Sequence, residues 1–362
     1  MSAVYSGACS VTATASADGS GRTNLDPVTQ GTLGSALAQS TADRRQIRAF
    51  AFAGAVAGLS PDLDILIRSS NDPLLYLEFH RQFTHSLIFI PAGAGLCALL
   101  LHGFLRKWLS LRETMLACLL GYATHALLDA CTSYGTQLFW PFSDYRVAWN
   151  WISVVDPLFS VPLFVMVILG VVKKRRVFAL VGLCWAIAYM AAGAVQHHRA
   201  VDMARALATE RGHDPVRVAA KPGFANLLVW KSVYEADGHF YVDGIRAGRS
   251  AMVCEGDRTA ALDRGRDLPW LEPSSQQAKD LDRFGWYSNG WLAMDMKDPL
   301  YVVDVRYSTL PNRIDALWGL KLDPDAPTDE HTAWHVVEAR RTHDLDQLFG
   351  LLAGRDCRPL RS

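Results

Sequence analysis

The chain has 362 residues, half of them hydrophobic, and its 36 Lys and Arg balance its 36 Asp and Glu. That length suits two or three domains, and no groove-sized basic patch with interleaved aromatics is present, which excludes nucleic acid as a partner. The seven cysteines form neither CxxC pairs nor zinc-finger spacings, which excludes a cysteine-based metal site.

Residues 1–43 are rich in Ser, Thr, Gly and Ala, show no apolar period and lack the charged start and apolar core of a signal peptide, so a flexible N-terminal tail is expected. Apolar spans follow. Segments 86–105 and 177–195 each come close to the roughly 20 apolar residues that cross a bilayer core. Segment 157–172 is shorter, and KKRR joins it to the next span as in a tight transmembrane hairpin. Segments 49–67 and 114–131 are long enough but carry ionisable residues near their C-terminal ends, a pattern that a soluble helical bundle would share. QHHRAVDMARALATERGHD then reads as a polar helical connector over 196–215. Residues 216–362 show short β-type runs such as GHFYVDGI and PLYVVDVRYSTL, punctuated by ADG and LPN, and AWHVVEARRTHDLDQLFGLLAG reads as helix. The expected fold class is an α-helical polytopic membrane domain of about five spans over 44–195, followed by a soluble mixed α/β C-terminal domain.

Lysine and arginine concentrate in cytoplasmic loops. An N-terminus on the inside places Arg44, Arg45, Arg48, Arg106, Lys107, Arg112, Lys173, Lys174, Arg175 and Arg176 on the cytoplasmic side, and leaves Arg68, Arg81 and Arg146 in the short outer loops. The expectation is an integral protein of the bacterial inner (cytoplasmic) membrane, with a cytoplasmic N-terminus and an extracytoplasmic C-terminal domain. Cys254 and Cys357 stand in the polar C-terminal third, where an oxidising compartment permits a disulfide between them.

The same orientation gathers the ionisable residues of the spans at one membrane face. Asp62 and Asp64 end the first span, His80 and His85 precede the second, His125 and Asp129 end the third, and Asp156 precedes the fourth. Such groups are costly at membrane depth unless they pair or bind an ion, and independent accidents would scatter over both ends. His125 and Asp129, one helical turn apart in GYATHALLDAC, project from one face and form the strongest pair. Asp62 and Asp64 follow Ser60-Pro61, which breaks the helix and permits an irregular turn, although Asp62 would also serve as an N-cap. His80 and His85 suit one site if His80 lies in the loop and His85 opens the span. Asp156, before Pro157, is placed equally well to cap a helix. A shell mixing imidazole and carboxylate suits zinc, or else manganese. Thr84, Ser86 and Thr132 offer hydroxyls that could orient the ligands, and Arg81 could hold an anionic group of a substrate. His197 and His198 read as solvated residues at a helix end, and His331 and His335 share the spacing of a metal pair without an accompanying motif.

Together SPDLDIL, HRQFTHSL, GYATHALLDACTSYGTQLFWPFS and VVDPLF resemble, in type, order and spacing, the motifs of the YdjM-like family of membrane-bound proteins. That family is held to consist of metal-dependent hydrolases with a distant likeness to zinc-dependent phospholipase C. The resemblance covers roughly residues 50–195 and implies that Asp62, Asp64, His80, His85, His125, Asp129 and Asp156 are the polar residues of a metal site. Gln82 departs from it, standing where a glycine is common. The implied activity is cleavage of an ester or phosphodiester bond in a lipid or amphiphile by a metal-activated water, with Asp64 or Asp156 free to act as general base. The same residues allow two alternatives, a cation path in a transporter, against which only His102 lies toward the cytoplasmic ends, and a non-catalytic membrane adaptor with a structural metal.

Overall fold

Small residues set the packing of the N-terminal half. The structure is a computed structural model and describes residues 27–336, 341–355 and 357–360. Helices α1 (Pro27–Thr41) and α2 (Ile47–Leu59) form an antiparallel hairpin. After a short α3 (Leu75–Phe79), helices α4 (Ile90–Leu105), α5 (Leu111–Cys131), α6 (Pro157–Lys173) and α7 (Arg176–Glu210) complete the bundle. Gly34 of α1, Gly54 and Gly58 of α2 and Gly121 of α5 meet at one crossing, where a Cβ on Gly121 would overlap the Gly54 carbonyl. Only glycine lets backbones approach that closely, and van der Waals packing of this kind drives helix association where no water is available to be expelled.

Helix α1 corrects the expectation of a flexible tail over 1–43. Residues 27–41 are helical and walled in by α2, α5, α6 and α7, and residues 1–26 lie outside the described residues. A helix that touches protein on nearly every side needs no apolar face, so its Ser, Thr, Gly and Ala composition suits its place. Among the described residues four helices are long and apolar enough to cross a membrane, Ile47–Leu66, Leu87–Leu105, Leu111–Cys131 and Arg176–Glu210, and α6 is a shorter apolar helix. Leu96, Leu99 and Phe104 on α4, Val161 and Phe164 on α6, and Leu180 and Ile187 on α7 are exposed, as a lipid-facing surface requires.

The bundle has two distinct ends. Arg44 lies beside Lys174, Arg175 and Arg176 at one of them, and Asp62, His85, His125 and Asp129 gather at the other. Gln30, in the first turns of α1, bonds Asp129, so Pro27 enters the bundle at the polar end. The N-terminus, expected on the side opposite the C-terminal domain, itself lies outside the described residues. An additional helix changes the parity of the crossings, so Pro27 and that domain share an end.

Helix α7 is 35 residues long, about 52 Å at 1.5 Å per residue against an apolar bilayer core of roughly 30 Å. Most of the expected connector is therefore a continuation of the last span. Its Ala200 and Ala204 pack on Ala220, Trp230 and Ile245 of the first sheet. The C-terminal domain runs β1 (Arg217–Pro222), β2 (Val229–Ala236), β3 (His239–Ala247), β4 (Ala251–Cys254), β5 (Arg258–Ala260), α8 (Arg264–Asp267), α9 (Gln276–Tyr287), β6 (Leu292–Met294), β7 (Tyr301–Asp304), β8 (Trp318–Lys321), β9 (Ala333–Val336), α10 (Arg341–Leu352) and β10 (Arg358–Pro359). One antiparallel sheet has the order β1-β2-β3-β4-β10 with β5 on β3, and the other β6-β7-β8-β9. Asp237 and Gly238 take φ of 50° and 68° in the two-residue β2–β3 turn, the mirror-image turn that suits strand twist. The helix expected from Ala333 onward holds only for 341–352; Ala333–Val336 pair with β8 instead, and 337–340 lie outside the described residues. Cys254 and Cys357 are joined in a disulfide.

The glycine crossing makes a direct prediction. Gly121→Ala should lower the thermal unfolding midpoint of the detergent-purified protein, since overpacking costs about 1–3 kcal/mol. Gly103→Ala, with open space around its Cβ position, should leave the midpoint unchanged or slightly raised.

Candidate metal centre

Five segments deliver the polar cluster. Pro61 opens a 3-10 turn, Ser60–Leu66, that continues α2 and carries Asp62 and Asp64. His80 ends α3, and His85 ends the 3-10 turn Phe83–His85. Helix α5 supplies His125 and Asp129, both fully buried. Gln30 of α1 donates to Asp129 Oδ1 at 2.7 Å.

The hydrogen bonds behind the imidazoles decide which nitrogen carries a lone pair. His125 Nδ1 lies 2.6 Å from the Gly58 carbonyl, which can only accept, so Nδ1 holds the proton and Nε2 is free. Thr84 donates its hydroxyl to Asp64 Oδ2 at 2.7 Å and is left to accept from His85 Nδ1 at 2.9 Å. In a neutral His85, Nε2 is then also a lone pair, and it stands 2.9 Å from His125 Nε2. Asp62 Oδ1 is 3.2 Å from His125 Nε2 and 3.5 Å from His85 Nε2. Asp129 Oδ2 is 3.3 Å from His85 Nε2 and 3.8 Å from His125 Nε2. Arg81 Nε stands 3.2 Å from that oxygen, yet Asp129 Oδ2 has no hydrogen-bond partner among the described residues.

With both imidazoles neutral, four electron-pair donors face one another. Their separations bracket the roughly 3.3–3.4 Å edge of a tetrahedron of N and O ligands set about 2.0–2.1 Å from zinc. His85, His125, Asp62 and Asp129 therefore fit a divalent ion. Asp62, Asp64 and His80 form a second group whose ligand atoms all lie within 4.8 Å of one another. Asp64 stands chiefly behind the ligands, accepting from His80 Nδ1 at 2.8 Å, Arg81 N at 3.2 Å, Thr84 Oγ1 at 2.7 Å and, at 3.3 Å, facing His85 Nδ1.

The remaining expected residues fall into place around this cluster or outside it. Thr132 donates to the Asp129 carbonyl at 2.7 Å and accepts from Arg81 Nη1 at 3.3 Å, so it steadies the arginine. Ser86 donates to the Phe83 carbonyl. Asp156 departs from the expected ligand set. It caps α6 by accepting from Leu158 N and Phe159 N, and Tyr189 donates to its other oxygen at 2.8 Å. The first amides of a helix lack internal partners, and that demand has claimed the carboxylate. His331 pairs with Asp280, His335 lies on β9, and His197 stacks near Trp230, so none of the three joins the cluster. Gln30, the Gly58 carbonyl and Tyr122, which donates to the Thr84 carbonyl at 2.9 Å, are parts that sequence reasoning missed. A glutamine in a Ser/Thr-rich segment and a backbone oxygen give no side-chain signal.

Bundle and cluster define a polytopic membrane protein with a buried His/Asp site able to hold a metal ion. Residues 25–200 match the model of the YdjM inner membrane protein family. A stretch of 104 residues is 33% identical to YfhP, an uncharacterized protein of Bacillus subtilis, covering 27% of this chain and 29% of that one. Another of 107 residues is 33% identical to the inner membrane protein YbcI of Escherichia coli, covering 28% of this chain and 58% of that one. The chain thus spans less than two thirds of either relative. No solved structure matches it. The family match and the apolar helices together support an inner membrane location.

Elemental mass spectrometry of the detergent-purified protein should find stoichiometric zinc or manganese, lost in His125→Ala and in Asp129→Ala and retained in Asp156→Ala. Thr84→Val, which removes the hydroxyl behind His85, should weaken metal binding about 10–100-fold.

Proposed function

We propose that the chain is an integral membrane metallohydrolase that cleaves an ester or phosphodiester bond of a lipid or amphiphile. The observation that carries this reading is the convergence of His85 Nε2, His125 Nε2, Asp62 Oδ1 and Asp129 Oδ2 on one small space. A divalent ion held by these residues, zinc or else manganese, supplies a lowered pKa for a water molecule and a Lewis acid for a phosphoryl or carbonyl oxygen. The chain's own residues do the rest. His80, whose Nδ1 is held by Asp64, lines the cavity next to the cluster and keeps Nε2 for a proton. It is a better proton acceptor than Asp64, whose oxygens are already engaged. Arg81 stands between Asp129 and the same cavity, placed to hold an anionic group of the substrate.

The basic end of the bundle, with Arg44 and Lys174 to Arg176, is cytoplasmic in this reading. The cluster and the C-terminal domain are then extracytoplasmic, where the disulfide between Cys254 and Cys357 is at home. Outer-leaflet head groups are the first molecules such a site would meet. One observation favours the adaptor as a second reading, since four protein ligands can close a tetrahedral shell with no position left for water. His102, the outlying polar group of a cation path, is bonded to Thr114 at 3.3 Å.

Phospholipid turnover by the purified protein in nanodiscs tests the reading. His125→Ala should abolish turnover together with bound metal. His80→Gln should slow it by about 10²–10⁴-fold, the range for loss of a general base, with the metal retained. Metal-replete wild type that turns over no phospholipid would hand the site to the structural reading.

A further inference from the structure

The cavity between the two halves of the molecule carries chemistry that the metal cluster does not use. It has a volume of about 60 Å³ and is lined by Arg81, Tyr134 and Arg146 of the membrane half and by Arg306, Tyr307 and Trp318 of the C-terminal domain, among others. Two of the guanidiniums have carboxylates. Arg81 pairs with Asp129 at 3.2 Å, and Arg306 grips Asp304 at 2.9 and 2.6 Å. Arg146 has none among the described residues, and donates instead to the carbonyls of Tyr287, Tyr134 and Gly135 at 3.2, 3.0 and 3.3 Å. Behind it Lys221 likewise meets only neutral groups, the Ser133 carbonyl, Asn150 Oδ1 and the Tyr307 hydroxyl. Burial away from water pushes Arg146 down to about 10, the direction expected where a cation is desolvated.

Each guanidinium keeps one nitrogen with neither a hydrogen-bond nor an ion-pair partner among the described residues: Arg81 Nη2, Arg146 Nε and Arg306 Nη1. Their planes are backed by aromatic rings, with Cζ to centroid distances of 5.2 Å for Arg81 on Tyr134, 4.9 Å for Arg146 on Tyr287 and 5.2 Å for Arg306 on Tyr307. Surplus positive charge in a concave, aromatic-walled space calls for an anion with an organic body. Three donors from three chain segments match three oxygens better than the two of a carboxylate.

We propose that this cavity binds the phosphoryl group of a phosphate ester, with Arg81, Arg146 and Arg306 as its donors. The proposal rests on the hydrolytic reading for what the bound group is for, because Arg81 links the cavity to Asp129 of the cluster. Binding itself is separable from that reading. The C-terminal domain, which lies beyond the matched family segment, then completes the substrate site by contributing Arg306 and Tyr307.

Isothermal titration of the full-length protein in detergent tests it, with inorganic phosphate, dihexanoyl phosphatidic acid and octanoate as probes. Phosphatidic acid should bind and octanoate should not. Binding of inorganic phosphate as well makes the phosphoryl group sufficient, and its absence assigns the lipid head group; either supports the proposal. Arg146→Gln should weaken binding by about 10-fold or more, as loss of a charge-assisted donor does. Ser288→Asp provides a second variant, because the Ser288 hydroxyl is buried in the cavity wall without a hydrogen-bond partner. Its carboxylate should block binding and leave the unfolding midpoint unchanged or raised. No binding of either phosphate compound, equal binding of octanoate, or undiminished affinity in both variants would overturn the proposal. Metal content measured on the same samples keeps the two readings distinct. Phosphate binding to protein that holds no metal upholds the cavity and removes the hydrolase; metal without phosphate binding removes the cavity alone.

Discussion

Two imidazole nitrogens do not stand 2.9 Å apart in a protein interior unless a proton or a metal ion lies between them, and much of the molecule is what holds them there. His125 is fixed from behind by the Gly58 carbonyl, His85 by Thr84 and Asp64, and Asp129 by Gln30. These supports come from α2, the loop after α3, the 3-10 turn and α1. Gly58 serves twice: its carbonyl orients His125, while the absence of a Cβ lets α2 lie against α1 and Gly121 of α5. The close helix crossing is therefore a condition of the site's geometry, since a wider one would draw the carbonyl away from the ring it orients.

What was legible in the sequence follows from what each signal measures. An ionisable residue in an apolar run has few bland explanations, so Asp62, His85, His125 and Asp129 stand out, and the structure brings them together. Asp156 has the same appearance, but an acid before a proline at a helix start is satisfied by backbone amides alone, and there the cap wins. Hydropathy reports surface that faces lipid. Helix α1 faces almost none, so Gln30 was hidden inside an apparent tail. The charge rule located the basic end correctly relative to the cluster, whereas the side on which Pro27 begins depended on a helix that hydropathy could not see.

The C-terminal domain is fastened over the polar end at several points. Arg283 of α9 reaches Asp72 at 2.9 Å and Glu78 at 2.7 Å, both in the segment between α2 and α4. Leu74 of that segment is buried with Leu281 and Phe284 of the domain. Lys221 and Tyr307 both bond the Ser133 carbonyl, just beyond α5. Ion pairs at such a junction are individually weak, but the shared apolar contacts remove water from around them and make the joint cooperative. With the long α7 as a rigid arm, the domain reads as a fixed cover whose inner wall belongs to the cavity.

Whether a shell of four protein ligands is closed or reactive turns on its least constrained member. The side chains of His85, His125 and Asp129 are fully shielded from solvent, and each is held by a further hydrogen bond. Asp62 differs. Its side chain is 15% exposed, it sits on a 3-10 turn, and it belongs to both ligand groups. Were the set to hold an ion, Asp62 would be its adaptable member, next to Asp64 and His80, while the other three stay in position. A purely structural site gains nothing from such asymmetry, since its stability increases with every ligand that is locked. The uneven burial of the four residues leaves Asp62 as the member of the cluster that solvent reaches.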